Sequence, residues 1–197
     1  LNADFSNQIN DKLSFAYGVE WREESYDLLQ GQAEAWAVGP WAEVNLLTDP
    51  ATGEAYAPQP IGSNGMVGTA ADAAGSFSRD NYAIYSDVEW RTSDHLLLQG
   101  ALRFEEFSDF GSTTNGKIAA RYNLTKDTAL RGAVSTGFRA PTPGQSNYTG
   151  IRTSADVASG LLTQDGTVLP TSDLAISLGG TVLDAENSKN LSFGLTS

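Results

Sequence analysis

The chain of 197 residues contains no cysteine, so it can form neither a disulfide framework nor a thiolate metal site. Its one histidine, His95, has no second imidazole to join in a metal centre and no triad to serve. Basic residues are scarce, with 12 Lys and Arg against 24 Asp and Glu and a formal net charge of -12. That balance, with no basic stripe, argues against a nucleic-acid partner. No glycine motif cradles a phosphate, and the hydroxyls of SFSRD and STGFR have no base on the same element. No catalytic constellation emerges, and the chain reads as no enzyme. It also lacks any apolar run of about eighteen residues, which excludes a membrane-crossing helix. It does not exclude membrane-crossing strands, whose hydrophobicity is hidden in alternation.

Alternation is what the sequence does contain. Between His95 and Arg139, Leu96, Leu98, Leu102 and Phe104 fall on one face, with Gln99, Ala101, Arg103 and Glu105 on the other. Ile118, Ala120 and Tyr122 then oppose Lys117, Ala119 and Arg121, and Leu130, Val134 and Phe138 oppose Arg131, Ser135 and Arg139. Earlier, Leu13, Phe15, Tyr17, Val19 and Trp21 oppose Ser14, Ala16, Gly18, Glu20 and Arg22. NYAIYSDVEWR sets Tyr82, Ile84, Val88 and Trp90 against Ala83, Tyr85, Asp87, Glu89 and Arg91. Residues 2–7 read as the tail of one more strand. Period two held over roughly ten residues is the length a membrane-spanning barrel strand needs. Nowhere do apolar residues recur at helical spacing, although GQAEAWAVG could form a turn or two of helix.

Between these strands the connections alternate in length. They are short at 8–11, near 92–94 and at 124–127, modest at 108–114, and long at about 27–79 and 140–187. The 27–79 stretch loses all periodicity and carries most of the prolines. Connections of that length are functional more often than they are linkers. In an up-and-down sheet, one edge therefore carries only tight turns and the other every long loop. Outer-membrane barrels have that asymmetry, with short periplasmic turns and long extracellular loops. The chain starts and stops inside alternating patterns, at LNADFSNQ and NLSFGLTS, and so reads as a piece of a longer protein whose export signal lies upstream.

The same alternation suits a soluble β-sandwich with the leucine row in its core. Three features favour the membrane reading: strand length, a polar face mixing charges of both signs with Ala, Ser and Gly, and aromatics toward strand ends. Trp21, Tyr82, Trp90, Phe104, Phe107, Tyr122 and Phe138 are the expected interfacial girdles. Glu106 interrupts the apolar row only at a loop end. With Glu105 and Asp109 it makes an acidic cluster that could hold a divalent ion, although a solvated rim is the simpler account.

Residues 103–141, RFEEFSDFGSTTNGKIAARYNLTKDTALRGAVSTGFRAP, resemble the barrel signature of TonB-dependent outer-membrane receptors. The likeness lies in Arg103 to Ser112, then in Lys117, Arg121 and Tyr122, then in Gly137, Phe138, Arg139, Ala140 and Pro141. AENSKNLSFGLTS is similar to the following strand through Glu186, Ser188, Asn190 and Gly194, with Ala185 where proline is usual. YGVEWREESY and FSRDNYAIYSDVEW fit the preceding strand pair. The resemblance covers nearly every strand and about half the residues, and no loop.

It implies an all-β fold, with residues 1–197 forming part of one up-and-down transmembrane barrel of twenty-two strands. This chain would supply seven or eight of them. The plug domain and the TonB box would lie outside these residues. The implied protein sits in the bacterial outer membrane among lipid and lipopolysaccharide. It takes up a scarce solute (a siderophore, cobalamin, haem or an oligosaccharide) with energy from the TonB complex, and needs no cofactor or metal. A passive porin, an adhesin barrel and a soluble carbohydrate-binding sandwich remain the alternatives. Ligand contacts are expected from the loop aromatics Trp36, Trp41, Tyr56 and Tyr148. The lumen-facing polar set is Glu20, Arg22, Asp87, Glu89, Arg91, Arg103, Lys117, Arg121, Arg131 and Arg139, expected to pair internally or with the plug. Gly137 to Pro141 are assigned a structural role.

Overall fold

A computed structural model describes residues 1–39, 51–53, 62, 66–156, 158 and 162–197. It divides into two units. The first, Leu1–Glu24, Ser78–Pro141 and Leu183–Ser197, is built on an antiparallel meander. Its strands are β1 (Asn2–Asn10), β2 (Leu13–Leu28), β3 (Gly75–Arg91), β4 (Leu96–Phe107), β5 (Gly111–Asn123) and β6 (Ala129–Arg139), with β9 (Glu186–Thr196) closing the row. They form one 7-stranded sheet in the order β1-β2-β3-β4-β5-β6-β9. Every one of them reaches the roughly nine to eleven residues that a tilted membrane strand requires.

Local side-chain chemistry closes the tight turns at one end of the sheet. Asn10 Oδ1 accepts from Lys12 N at 2.9 Å. Ser93 Oγ accepts from His95 N at 3.3 Å and Leu96 N at 3.2 Å. Thr125 Oγ1 accepts from Asp127 N at 3.2 Å and Thr128 N at 3.0 Å. Short polar side chains that bond backbone a few residues on make a reversal cheap without glycine. At the opposite end the β4–β5 turn is shorter than the expected 108–114. It spans only Ser108 to Phe110, and Gly111 follows with φ +99, a conformation that favours glycine. The two long connections also leave from that end.

Register fixes the faces. Phe5 pairs with Tyr17, Ile84 with Phe104, Leu98 with Ala120, Ile118 with Val134, and Val134 with Leu191. One continuous apolar face results. It stays largely uncovered: Ile118 is 67% exposed, Phe193 79% and Leu191 83%. A soluble sandwich would bury this row, whereas here its largest side chains point into open surroundings. The enclosed residues Ala83, Phe107, Asn81, Glu105 and Arg79 lie instead on the opposite, charged face.

Two expectations about side chains change. Phe107 is 3% exposed and stacks on Phe110 at 4.5 Å, with Phe138 edge-on at 5.8 Å. These rings form a cluster at the loop end instead of the expected girdle. The acidic cluster also separates: Glu105 is buried and paired with Arg103, Asp109 lies 3.5 Å from Arg79, and Glu106 is exposed on the apolar face.

The second unit, Ser25–Phe77 and Thr142–Val182, contains a 3-10 turn at Ala33–Ala35, inside the stretch read as a helical turn. It also holds the hairpin β7 (Gly150–Ala155) with β8 (Leu162–Thr167), and two short helices, α1 (Pro143–Asn147) and α2 (Asp173–Ser177). The 140–187 connection is therefore more ordered than a loop. Thr142 and Gln145 form a reciprocal capping box that starts α1. An isolated bridge pairs Gly68 with Ile151. Gly68 is required there, because a Cβ would stand 2.0 Å from the Ala35 carbonyl oxygen.

Candidate functional site

The charged face has two halves of different electrostatic character. Across β1 to β4 most of its charges are partnered. Arg103 Nη2 lies 2.8 Å from Glu20 Oε2 and 2.7 Å from Glu105 Oε1. Its guanidinium also sits 5.0 Å above the Tyr85 ring. Tyr85 in turn donates to the Asp4 carboxylate, two strands away. The ring reaches that far by lying across Gly18, where a Cβ would meet it at 2.6 Å. Gln99 Nε2 donates to Glu89 Oε2 at 2.9 Å. One guanidinium nitrogen shared by two carboxylates, on a plane stacked over a ring, is an arrangement that lysine could not reproduce.

At the loop end of the same face, Arg79 is 5% exposed. Its Nε donates to Glu24 Oε2 at 2.6 Å, its Nη1 donates to the Pro141 carbonyl, and Asp109 lies within 3.5 Å. The guanidinium also stands over Phe107 and Phe110, at 5.3 and 6.0 Å. One side chain thus ties β2, β3, the β4–β5 turn and the end of the Gly137–Pro141 motif. Sequence reading singled out neither Arg79 nor Tyr85, Asp4 and Glu24. Strand parity alone places all four on the charged face.

Across β5, β6 and β9 the charged face is cationic. Lys117, Arg121 and Arg131 share it, and Arg121 stands directly opposite Arg131 in register. They line a recess of about 350 Å³ together with Gln99, Ala133 and Ser192. None of the three has an ion-pair partner among the described residues. Like charges facing one another across a sheet repel.

Other sequence-predicted polar residues fall as follows. Arg139 meets Glu186 at 3.2 Å, a well-exposed pair, and half-exposed Arg22 lies 3.8 Å from Glu24. Asp87 and Arg91 share the face with Tyr85 and Glu89 and face Ala101 and Leu97. His95 Nδ1 donates to the Asn123 carbonyl at 3.0 Å, bracing a turn. Among the described residues no group of His, Cys, Asp and Glu is placed to hold a metal.

Within the second unit, Trp36 Nε1 donates to the Gly31 carbonyl at 3.1 Å, which fixes the ring. Trp36 lines a cavity of about 320 Å³ with Ala70, Asp72, Thr149, Ile151 and Leu169. Tyr148 caps α1 and places its hydroxyl 3.2 Å from where a Gly150 Cβ would lie. Trp41 and Tyr56 lie outside the described residues.

Long meander strands, an uncovered apolar face and a charged opposite face define a wall segment of the outer-membrane β-barrel type. Residues 2–196 match the family described as TonB dependent receptor-like, beta-barrel. The chain belongs to that family. It is 33% identical over 64 residues to the vitamin B12 transporter BtuB of Photobacterium profundum, covering 32% of this chain and 10% of that protein. To the protein of the same name from Vibrio cholerae it is 25% identical over 135 residues, covering 68% of this chain and 15% of the other. Among solved structures, the ferric enterobactin receptor PfeA of Pseudomonas aeruginosa superimposes with a TM-score of 0.59 at 15% identity, over 100% of this chain and 24% of that one. The siderophore receptor PirA of Acinetobacter baumannii gives 0.59 at 13%, over 98% and 23%. These two show likeness of fold. The chain spans about a quarter or less of the length of the relatives it matches.

Proposed function

We propose that the protein containing this chain is an outer-membrane receptor that takes up a scarce solute with energy from the TonB complex. The observation that carries the reading is the division of the seven-stranded sheet into an exposed apolar face and a charged one. Only a closed barrel with lipid outside and a polar interior satisfies both faces and both unpaired sheet edges. Strands beyond this chain complete the barrel, twenty-two in all. A plug domain fills it, and the region that engages TonB also lies outside these residues.

In this account the loop unit captures the solute through Trp36 and Tyr148, with Trp41 and Tyr56 in the same connection as Trp36. Rigid aromatic rings give contact area at low entropic cost. The matched half of the charged face keeps the wall rigid. Lys117, Arg121 and Arg131 meet acidic groups on the plug or on a passing solute. The solute is a corrinoid or a ferric siderophore, the two classes named by the relatives.

The test is uptake of radiolabelled cyanocobalamin and of ferric enterobactin by cells with and without the gene, each with TonB present or deleted. Uptake of one solute that needs both the gene and TonB is the expected result. Gene-dependent uptake that survives loss of TonB would make the protein a passive porin, and no gene-dependent uptake of any scarce solute would end the proposal.

A further inference from the structure

Negative charge is concentrated in the second unit. Residues 25–77 hold six Asp and Glu and no Lys or Arg, and residues 142–182 hold three, with Arg152 as the one cation. These two stretches therefore carry a net charge of -8 out of the chain's -12. Arg152 itself lies 3.9 Å from Asp165, so even this guanidinium has a carboxylate beside it. A surface so one-sided sets up a negative field that gathers cations, admits uncharged solutes and holds off anions over about a Debye length.

The cavity lined by Trp36 carries the same bias at short range. Both long connections build it, with Trp36, Ala70 and Asp72 from the first and Ile151, Val168 and Leu169 from the second. Its polar side chains are already engaged. Trp36 Nε1 donates to the Gly31 carbonyl at 3.1 Å, the Thr149 hydroxyl to the Thr167 carbonyl at 2.9 Å and the Ser172 hydroxyl to the Leu169 carbonyl at 2.8 Å. What is left for a guest is apolar surface, a fixed indole and the exposed Asp72, the one ionisable side chain among the described lining residues. An indole near a carboxylate in an apolar recess suits an organic cation or an uncharged ring. An anion would meet a like charge there and no free side-chain donor among the described residues.

On the receptor reading above, we propose that the loop unit is a charge filter: it seats an uncharged or cationic metal chelate in this cavity and excludes polyanionic ferric catecholates. The charges of the candidate solutes follow from their chemistry. Ferric iron brings three positive charges. Three catecholates bring six negative ones and leave a trianion, whereas three hydroxamates bring three and leave none. Cyanocobalamin is also uncharged. At about 320 Å³ the cavity takes a ring-sized edge of such a chelate, not the whole of it. The surrounding acids then decide which chelates reach it.

The test is calorimetric titration of the full-length protein in detergent with three probes: ferrioxamine B, a cationic hydroxamate chelate, cyanocobalamin, and ferric enterobactin, the trianion. One of the first two is expected to bind, and ferric enterobactin at least about tenfold more weakly, a gap that narrows as salt is raised. Asp72→Asn should weaken a cationic guest by up to about fivefold, the range of one exposed charge pair, and leave an uncharged guest unchanged. Ala70→Leu, which narrows the recess, should weaken either guest, with heat-modifiable gel mobility showing the barrel intact. Ferric enterobactin bound as tightly as the other two, or more tightly, would overturn the charge filter and leave the receptor reading standing. A bound probe indifferent to Ala70→Leu would overturn the cavity as its seat. No binding of any of the three would overturn the filter together with the receptor reading.

Discussion

Replacing Arg79 by alanine should be among the most damaging single changes to the barrel wall. The guanidinium is almost fully enclosed, yet its carboxylate partners Glu24 and Asp109 are each about a third exposed, at 34% and 32%. Deleting one member of a deeply buried pair costs about 3–5 kcal/mol, but these two acids can rehydrate, which removes much of that penalty. What remains is the charge-assisted bond to the Pro141 carbonyl, worth about 1.5–3 kcal/mol, and the stacking on Phe107 and Phe110, worth about 0.5–2 kcal/mol. With partial compensation by water, the expected loss is about 2–3 kcal/mol. Arg79→Lys should recover only part of it, since an ammonium cannot fork to Glu24 and Pro141 together. The assay is guanidinium-induced unfolding of the full-length protein in lipid vesicles, read by tryptophan fluorescence, with Arg22→Ala as the exposed control at less than about 0.5 kcal/mol. A loss for Arg79→Ala no larger than that of the control would refute the reasoning.

Two further changes follow from the same geometry. Gly18→Ala puts a methyl group into the Tyr85 ring, so Tyr85 must leave Asp4, and the expected cost is about 1–3 kcal/mol. Tyr85→Ser in the same chain should remove most of that sensitivity, as a double-mutant cycle would show. Ile118→Arg, near the middle of the exposed apolar row, should cost about 2–4 kcal/mol in a bilayer. Ala119→Arg, one residue on and facing the other way, should cost far less in the same folding titration.

How much was legible in the sequence followed where water ends. Leu96 to Phe104 and Leu130 to Phe138 have one apolar and one polar face, so period two betrays them. Residues 27–28 and 75–79 continue the same strands, but there the outward positions Asp27, Ser76 and Ser78 are polar and Phe77 faces the other way, so the apolar-outward alternation disappears while the strand goes on. The expected loop over 27–79 takes in Arg79, whereas Glu24 lies in the strand and outside the expected lumen-facing set. Phe107 was misplaced because its position at a strand end outweighed its parity, which it shares with Arg103. Phe138 has outward parity, but the β5–β6 register ends at Lys117 and Ser135, and beyond it the Phe138 ring meets Phe107 edge-on. The cationic half of the charged face was named residue by residue. Its isolation from any acid became visible only once register set Arg121 against Arg131.

The central claim is that alternate residues of these strands face lipid. None of the 197 residues is cysteine, so single cysteines can be placed within this segment without competition, at 117 to 120 and at 132 to 135. Each is labelled with a nitroxide in the full-length protein, reconstituted in bilayers with any cysteine elsewhere replaced. Its collision rates with oxygen and with a water-soluble nickel complex are then measured. The account predicts strict alternation, with 118, 120, 132 and 134 accessible to oxygen and 117, 119, 133 and 135 shielded from it. Equal access of the nickel complex to both sets would show water on both faces and contradict the barrel.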